Sequence, residues 1–219
     1  MQPVEGAVIA AAGLGSRLGL GMPKCMLEIE GTTVLSRLIA VLEKHVPSIH
    51  VVVGYREELI IDHCARFHRN VVIVRNPEFR TTNTAASMTC GARGLRRKVL
   101  FLDGDLLISE ASIANFVTKA QESDVLLGVT RAKSEQAVFV QTSCNPQQPL
   151  SANGFTRELA QPYEWANVVA GPPDLVASAD GFVYEALIPL LPLPAAMLDL
   201  CEIDTPSDLK QAESFVRTI

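Results

Sequence analysis

The sequence predicts an α/β fold in which helices cover both faces of a mostly parallel central sheet, with a small β-hairpin insertion. As far as Thr130, short apolar strand-like segments alternate with amphipathic helical segments, the pattern of parallel strands joined by crossover helices. Beyond that point the segments become more polar, and a Pro- and Asn-rich turn separates two of them. A chain of 219 residues with 48% hydrophobic residues is long enough to bury one core.

The alternating part of the chain begins with Gly6–Ala12, a continuous run of small apolar residues typical of a strand buried on both faces. Met26–Glu30 is a short extended piece that ends at Gly31. A Thr, Asn or Ser precedes several of the predicted helices as an N-cap. In order, the remaining elements are a helix over Thr33–Val46, a strand over His50–Val53, a helix over Arg56–Phe67, a strand over Asn70–Val74, a helix over Ala85–Gly94, a strand over Lys98–Leu102, a helix from Ser109 or Ser112, and a strand over Val125–Thr130.

The last third of the chain predicts fewer regular elements. We expect one domain over residues 1–219, with a core to about residue 135, an insertion over about 136–200, and a C-terminal strand and helix over 201–219 that return to the core. The segment Tyr163–Ala170 is mixed and aromatic and receives no assignment. The predicted elements are hairpin strands over Val138–Thr142 and Gly154–Leu159, a helix over Phe182–Leu191, a strand over Leu200–Ile203 and a helix over Pro206–Val216.

Composition and charge exclude several classes of partner. A net charge of -5 argues against a nucleic-acid surface, which needs clustered cations, and the longest basic run is Arg96–Lys98. No apolar segment reaches the ~20 residues of a membrane-spanning helix, and no signal peptide is visible. Five cysteines without a C-x-x-C pair favour reduced thiols. We therefore expect a cytoplasmic protein without nucleic-acid partner or membrane insertion. Its oligomeric state stays open, a homodimer included.

The most informative segment is the glycine-rich loop Ala11–Lys24, with the sequence AAGLGSRLGLGMPK. Glycines let backbone N–H groups approach phosphate oxygens, and Arg17 and Lys24 bring two cations to the same loop. The loop has no G-K-[S/T] of a P-loop, and Leu18 stands where a dinucleotide-binding loop needs its third glycine. We therefore predict a nucleoside triphosphate site, with Arg17 and Lys24 as catalytic cations. The predicted nucleotide contacts in the loop are Ala11, Ala12, Gly13, Gly15 and Ser16.

Acidic residues occur at two places that suit a metal ion. Asp103 and Asp105 follow a predicted strand, at the sheet edge where open α/β folds bind ligands. Near the C-terminus, Glu202 and Asp204 alternate along a short strand, so their side chains face the same way. Mg²⁺ prefers oxygen ligands and usually takes one or two protein carboxylates together with phosphates and water.

These motifs resemble the nucleotidyltransferases with a three-layer Rossmann-like (GT-A-like) fold. That family includes sugar-phosphate nucleotidylyltransferases, phosphocholine-type cytidylyltransferases and MobA-like NTP transferases. Its pattern A-A-G-x-G-x-R, a short gap and P-K matches the glycine loop, and an E-x-D-T-x-x-D-L segment matches Glu202–Leu209. The resemblance covers nearly the whole chain. It implies that Asp105, Asp204 and Glu202 hold Mg²⁺ and that Asp103 contacts the nucleotide.

A polar segment extends the resemblance to the nucleotide base. Asn76–Met88 is similar to the N-P-x-F…T-N-x-x-S-L segment of phosphocholine-type cytidylyltransferases. The similarity implies that Asn83 and Ser87 recognise the base, and it favours CTP. An Asn side chain carries both a donor and an acceptor, enough to read a pyrimidine edge. Plain capping of the following helix would explain Asn83 as well.

Three residues are candidate contacts for the acceptor. Tyr163 and Trp165 flank an acid, a combination suited to a cationic head group, although packing of Trp165 in the core or a lid explains it equally well. Arg131 follows the strand predicted over Val125–Thr130 and could contact the acceptor's phosphate. The insertion over about 136–200 would then bind the acceptor, and the first 135 or so residues the nucleotide.

The resemblance implies transfer of a nucleoside monophosphate, CMP favoured, from an NTP to a small phosphorylated acceptor, with release of pyrophosphate. Phosphocholine or a related phosphate or phosphonate is the favoured acceptor, and Mg²⁺ is the implied cofactor. One alternative is a sugar-1-phosphate nucleotidylyltransferase that uses UTP, dTTP or GTP. Others are a GT-A glycosyltransferase, with D-x-D at Asp103–Asp105, and a nucleotide-binding module without turnover.

Overall fold

The structure of the chain, a computed structural model, describes residues 2–15, 21–133, 137–143, 149–179 and 181–219. Within these ranges the strands are β1 Val4–Ala11, β2 Glu28–Ile29, β3 Thr32–Thr33, β4 Ile49–Val53, β5 Val72–Arg75, β6 Lys98–Asp103, β7 Leu106–Ile108, β8 Leu126–Arg131, β9 Phe139–Thr142, β10 Ser151–Thr156, β11 Tyr163–Gly171, β12 Leu193–Met197 and β13 Leu200–Glu202. The helices are α1 Val34–Leu42, α2 Glu57–Phe67, α3 Thr84–Gly91, α4 Glu110–Ala120, α5 Val183–Leu187 and α6 Pro206–Val216, with 3₁₀ turns over Lys24–Met26 and Ile188–Leu190.

Nine strands form one sheet in the order β5-β4-β1-β6-β11-β8-β12-β10-β9. Strands β5, β4, β1 and β6 run parallel to one another, and so do β8 and β12. β11 runs antiparallel between β6 and β8. β9 pairs with both β10 and the start of β11, so this end of the sheet folds back on itself. The predicted α/β fold is confirmed, with a parallel first half and a mixed second half.

Both faces of the sheet are covered, which gives three layers. In β1, Ala7 and Ile9 pack in the cluster beneath α1, α2 and α4, whereas Val8 packs in the cluster beneath α3 and α5. A strand buried on both sides has no polar face to present, which is why β1 is a continuous apolar run. A third, smaller cluster joins α6 to β7 and β13.

The helices begin where the sequence predicts capping residues. Thr33, Asn83 and Ser109 each precede a helix, and each side-chain oxygen accepts a hydrogen bond from a backbone N–H of the first turn. Thr205 and Asp208 form a capping box at the start of α6. No helix in the described ranges is long and apolar enough to cross a membrane.

The second half of the chain corrects several predicted elements. The mixed segment that received no assignment is β11, a nine-residue strand in the middle of the sheet. The helix predicted over Phe182–Leu191 is shorter than expected. α5 covers only Val183–Leu187, and a 3₁₀ turn over Ile188–Leu190 follows, because Pro189 has no N–H with which to continue the α-helical hydrogen bonds.

The hairpin is present as β9 and β10, but its second strand starts three residues earlier than predicted, at Ser151. Besides β11, the strands β7, β12 and the two-residue β3 were not predicted. In β12, Pro194 lies outside the stretch paired with β8, so its missing N–H breaks no ladder bond there. The sequence around it, rich in proline, gave no strand signal.

Close packing of α3 on the sheet gives the first prediction. A Cβ at Gly91 would lie 2.4 Å from Val8 Cγ1 and 2.6 Å from Val52 Cγ2, in the middle of the core. We expect Gly91→Ala to lower the free energy of unfolding by about 1–3 kcal/mol, because neither valine can move away. Urea unfolding measures this. Gly13→Ala is the control, since a Cβ there meets nothing within 4 Å. Equal stability of the two variants would contradict this account of α3 packing.

Candidate active site

The predicted site lies at the carboxyl edge of the parallel strands. β1 and β6 pair in register up to Ala10 and Asp103, so the glycine loop and the turn after β6 leave the sheet side by side. Gly104 permits this close approach. Its N–H donates to the Ala10 carbonyl at 2.9 Å, and a Cβ would lie only 2.8 Å from the same oxygen. The two chemistry-bearing segments are therefore held together by backbone.

The glycine loop returns to the sheet edge at Lys24. Gly15 has φ of +59°, a conformation that favours glycine, and it lies beside the Lys24 side chain. Lys24 Nζ donates to Asp105 Oδ2 at 3.1 Å and also to Asp204 Oδ1. The lysine side chain is only 15% exposed, so these are ion pairs in a partly buried setting. Buried charges of this kind are tolerated only when they are paired.

The small antiparallel pair β7–β13 brings the C-terminal acids to the same place. Glu202 pairs with Leu106, next to Asp105, and Ile203 N–H donates to the Asp105 carbonyl at 3.2 Å. Carboxylate oxygens of Asp105, Glu202 and Asp204 all lie within 4.8 Å of one another. The three acids that the sequence assigns to a metal ion therefore form one cluster.

The capping box of α6 fixes the backbone on which Asp204 stands. Asp208 Oδ2 accepts hydrogen bonds from the N–H groups of Asp204 at 3.0 Å and Thr205 at 2.7 Å. A carboxylate is also favourable at the positive end of a helix dipole. Asp208 therefore has the structural role that its position in the first turn of a helix predicts.

Burial and mutual repulsion dominate the electrostatics of the cluster. Burial raises the pKa of Asp103 well above its ordinary value, and the neighbouring Asp105 raises it further. Burial also raises the pKa of Asp105, with Lys24 opposing the shift. For Lys24 itself, burial lowers the pKa, but Asp105 and Asp204 outweigh it and the pKa is raised. The lysine therefore stays charged and offsets part of the negative charge.

The acids fit a divalent cation that prefers oxygen ligands. Three carboxylates converge, and two of the buried oxygens, Asp103 Oδ1 and Asp105 Oδ1, have no hydrogen-bond partner among the described residues. A buried polar atom without a partner is unfavourable, and a bound cation would satisfy it. The donor set is all-oxygen, which suits Mg²⁺ and excludes the thiolate and imidazole ligands typical of zinc sites.

A hydrogen-bonded loop forms the opposite wall. Asn76, only 3% exposed, donates from Nδ2 to Thr82 Oγ1 at 3.0 Å and to Ser87 Oγ at 2.9 Å, and its Oδ1 accepts from Glu78 N–H. This one buried amide shapes the loop that ends at Asn83. Asn76 has no role in the sequence prediction, although a polar residue directly after strand β5 was the available signal.

Asn83 serves as a helix cap and also lines the site. Its Oδ1 accepts from Ala86 N–H at 3.0 Å, which leaves the Nδ2 donors for a ligand. Ser87 is 5% exposed, and its hydroxyl accepts from Asn76, so its own proton remains available to donate. The wall therefore offers hydrogen-bond donors to the cleft.

One cleft of about 410 Å³ unites these features. Phe79, Arg80 and Thr82 line it in addition to the predicted residues, and Arg80 brings a further cation that the sequence left unassigned. Ser16 and Arg17 lie outside the described residues. The predicted residues that line the cleft are Ala11, Ala12, Gly13, Gly15, Lys24, Asn83, Ser87, Asp103, Asp105, Glu202 and Asp204.

The three candidate acceptor contacts lie away from this lining. Trp165 is only 8% exposed and packs edge-on against Phe155 in the core, with ring centroids 6.4 Å apart. Little of its surface is left for a ligand, so the core interpretation of Trp165 replaces the head-group one. Tyr163 is half-buried against the same core cluster, and Arg131 is exposed at the end of β8. The acceptor roles of Tyr163 and Arg131 remain predictions.

The fold and this cleft define an α/β nucleotidyltransferase domain. The sequence profile of the MobA-like NTP transferase domain matches residues 7–167, and the chain belongs to this family. Among curated relatives, the bifunctional protein GlmU of Methanococcus vannielii is 32% identical over 114 residues, 51% of this chain and 27% of that protein. GlmU of Gloeobacter violaceus is 33% identical over 116 residues, 52% of this chain and 25% of that protein. The chain thus matches about a quarter of the length of these relatives.

Solved structures share the fold over nearly the whole chain. The inositol-1-phosphate CTP transferase from T. maritima superposes with a TM-score of 0.79 at 18% identity, covering 99% of this chain and 97% of that one. The CTP:phosphocholine cytidylyltransferase from Streptococcus pneumoniae gives 0.75 at 16% identity, covering 99% and 100%. A UDP-glucose pyrophosphorylase gives 0.80 at 12% identity, covering 98% and 99%. These similarities confirm the GT-A-like fold that the motifs predict.

The buried cluster predicts a pH dependence of stability. Burial and neighbouring carboxylates raise the pKa of Glu202 to about 9, from an ordinary value of 4.5. Between these values the folded protein keeps a proton that the unfolded chain releases, so the free energy of unfolding falls as pH rises. In EDTA, we expect the free energy of unfolding of the wild type to fall between pH 6 and pH 8. That of Glu202→Gln should fall by on the order of 1–2 kcal/mol less over the same range.

Chemical denaturation at the two pH values measures this difference. The exposed Glu122→Gln variant is the control and should follow the wild type. If Glu202→Gln and wild type lose the same free energy of unfolding, Glu202 is ionised in the folded protein and the described electrostatics are wrong.

Proposed function

We propose that this chain is a Mg²⁺-dependent cytidylyltransferase that transfers CMP from CTP to a small phosphorylated acceptor, such as phosphocholine or a related phosphate or phosphonate. The observation that carries the proposal is the contact of Lys24 with Asp105 and Asp204 inside the cleft lined by the glycine loop. A triphosphate with its cation needs both a positive group and hard anionic ligands in one place. Family membership supports the use of an NTP.

In the proposed reaction, the acceptor phosphate is already an anionic nucleophile and needs no general base. One of its oxygens attacks the α-phosphorus in line, the bond from that phosphorus to the β-phosphate oxygen breaks, and pyrophosphate leaves. Glycines of the loop at Gly13 and Gly15 let the backbone approach the triphosphate. Lys24 and, by the sequence prediction, Arg17 stabilise the charge on the transferring and leaving phosphates.

Asp105, Asp204 and Glu202 would hold Mg²⁺, which neutralises phosphate charge and helps to orient the phosphates when it is bound. Asp103, the last residue of β6, lies beside this cluster and would contact the nucleotide. Catalysis on this account consists of positioning and charge neutralisation, without a side chain that must exchange a proton with the substrate.

The donors on the Asn83 wall support CTP over UTP. Cytosine presents two neighbouring acceptors on its pairing edge, N3 and O2, whereas uracil presents an N–H in place of the first. Asn83 Nδ2 and the Ser87 hydroxyl can each donate into the cleft. When uracil binds at a site with two donors, one of those donors meets the uracil N–H instead of an acceptor and stays without a hydrogen bond.

A pyrophosphate-release screen tests the proposed function. CTP, UTP, ATP and GTP are each combined with phosphocholine, 2-aminoethylphosphonate, glucose 1-phosphate and inositol 1-phosphate, with Mg²⁺ or with EDTA. We expect Mg²⁺-dependent release with CTP and one of the small phosphates or phosphonates. Release only with a sugar 1-phosphate and UTP would replace the proposal by the sugar nucleotidylyltransferase alternative. No release with any pair would contradict it.

Removal of the lysine tests its catalytic role. We expect Lys24→Ala to lower kcat by about 10²-fold or more, because the charge that stabilises the phosphates is lost. The control is Lys44→Ala, which removes an exposed lysine paired with Glu110, and it should retain wild-type turnover. Turnover of Lys24→Ala close to that of wild type would remove Lys24 from the mechanism.

Exchange of a donor for an acceptor tests base recognition. Asn83→Asp keeps an oxygen that accepts from Ala86 N–H, so α3 stays capped, but it removes the Nδ2 donors. We expect the ratio of kcat/KM for CTP to that for UTP to fall by about 10-fold or more. Steady-state kinetics with both nucleotides measure it. If the ratio is unchanged, Asn83 is a helix cap only.

A further inference from the structure

Strand β11 carries an irregularity where it passes the acid cluster. Its pairing with β8 shifts between Trp165 and Val169. The four-residue interval between them on β11 lies opposite the two-residue interval between Val129 and Leu127 on β8. Within this bulge Asn167 has φ of +52°. Bulges of this kind redirect a side chain and are frequent beside active sites. The bulge is accommodated by Gly128 on the neighbouring strand, where a Cβ would lie 2.7 Å from the Val168 carbonyl oxygen.

The bulge places Asn167 at the carboxyl edge of the sheet. Val168 pairs with Leu102 on β6, so the preceding residue of β11 lies beside Asp103, the last residue of β6. A positive φ is unfavourable for residues other than glycine, although Asn tolerates it better than most. A residue held in this conformation between well-packed neighbours points to a requirement for its side chain.

The side chain of Asn167 reaches the acid cluster directly. Its Nδ2 donates to Glu202 Oε2 at 3.1 Å and so joins the central sheet to β13 across 35 positions of sequence. A hydrogen bond donated to one carboxylate oxygen restrains rotation of the whole group. The other members of the cluster, Asp105 and Asp204, are restrained in the same way by Lys24. Each carboxylate of the cluster therefore has a donor that orients it.

We infer that Asn167 is a positioning residue that orients the Glu202 carboxylate for a divalent cation. The inference rests on the proposed function, in which Glu202 is one of three metal ligands. Loss of a hydrogen-bond donor that orients a metal ligand typically weakens metal affinity about 10- to 100-fold. The bulge in β11 and Gly128 then serve to bring this amide to the cluster.

The decisive variant is Asn167→Gly, which removes the amide and adopts a positive φ without strain. Mn²⁺ binding, measured by electron paramagnetic resonance without nucleotide, should weaken by about 10- to 100-fold. Thermal unfolding checks that the variant folds, and Asn153→Gly, on an exposed position of β10, is the control that should bind Mn²⁺ like wild type. Wild-type Mn²⁺ affinity in folded Asn167→Gly would overturn the inference.

A double-mutant cycle separates positioning from general damage. If Asn167 acts through Glu202, Asn167→Gly should weaken Mn²⁺ binding no further in a Glu202→Gln background. Independent losses that simply add would overturn the inference, as would a wild-type protein that binds no Mn²⁺. Turnover is a separate readout: absent pyrophosphate release in the wild type would contradict the proposed function, while the Mn²⁺ affinities would still decide the role of Asn167.

Discussion

Carboxylates of Asp105, Glu202 and Asp204 meet at the edge of a buried sheet, beside that of Asp103, and the fold around them is constrained by the need to offset their repulsion. These acids lie at or just after the end of β6, at the end of β13 and just before α6. Because they are largely buried, little water screens their charges. Lys24 supplies the positive charge, so the glycine loop has to leave β1 and come back to this point. The tight Gly104 turn and the capped start of α6 follow from the same need for a fixed geometry.

The same arrangement explains why the site suits a charged substrate. A cluster whose acids exceed its cations attracts a divalent ion, and the ion together with the lysine attracts phosphates. Donors that are already oriented before the substrate binds stabilise developing charge without rearranging during the reaction. On the opposite wall, the buried amide of Asn76 performs a comparable task, since it holds Thr82 and Ser87 in place.

Much of this site could be predicted because its signals are local. The buried first strand, the loop glycines and the alternation of Glu202 with Asp204 each follow from a short stretch of sequence. What could not be predicted depends on partners distant in sequence. β11 is a central strand because β6 and β8 cover both its edges. The bulge at Asn167 has no local signature, and the burial of Trp165 depends on Phe155 from another strand.

On the proposed function, the acid cluster and Lys24 together bind a nucleoside triphosphate with its metal ion. Isothermal titration calorimetry of CTP with wild type and Asp105→Asn, each in Mg²⁺ and in EDTA, tests it most directly. We expect Mg²⁺-dependent binding of CTP by wild type, with the Mg²⁺ dependence lost in Asp105→Asn. Binding of CTP that is equally tight in all four experiments would contradict it.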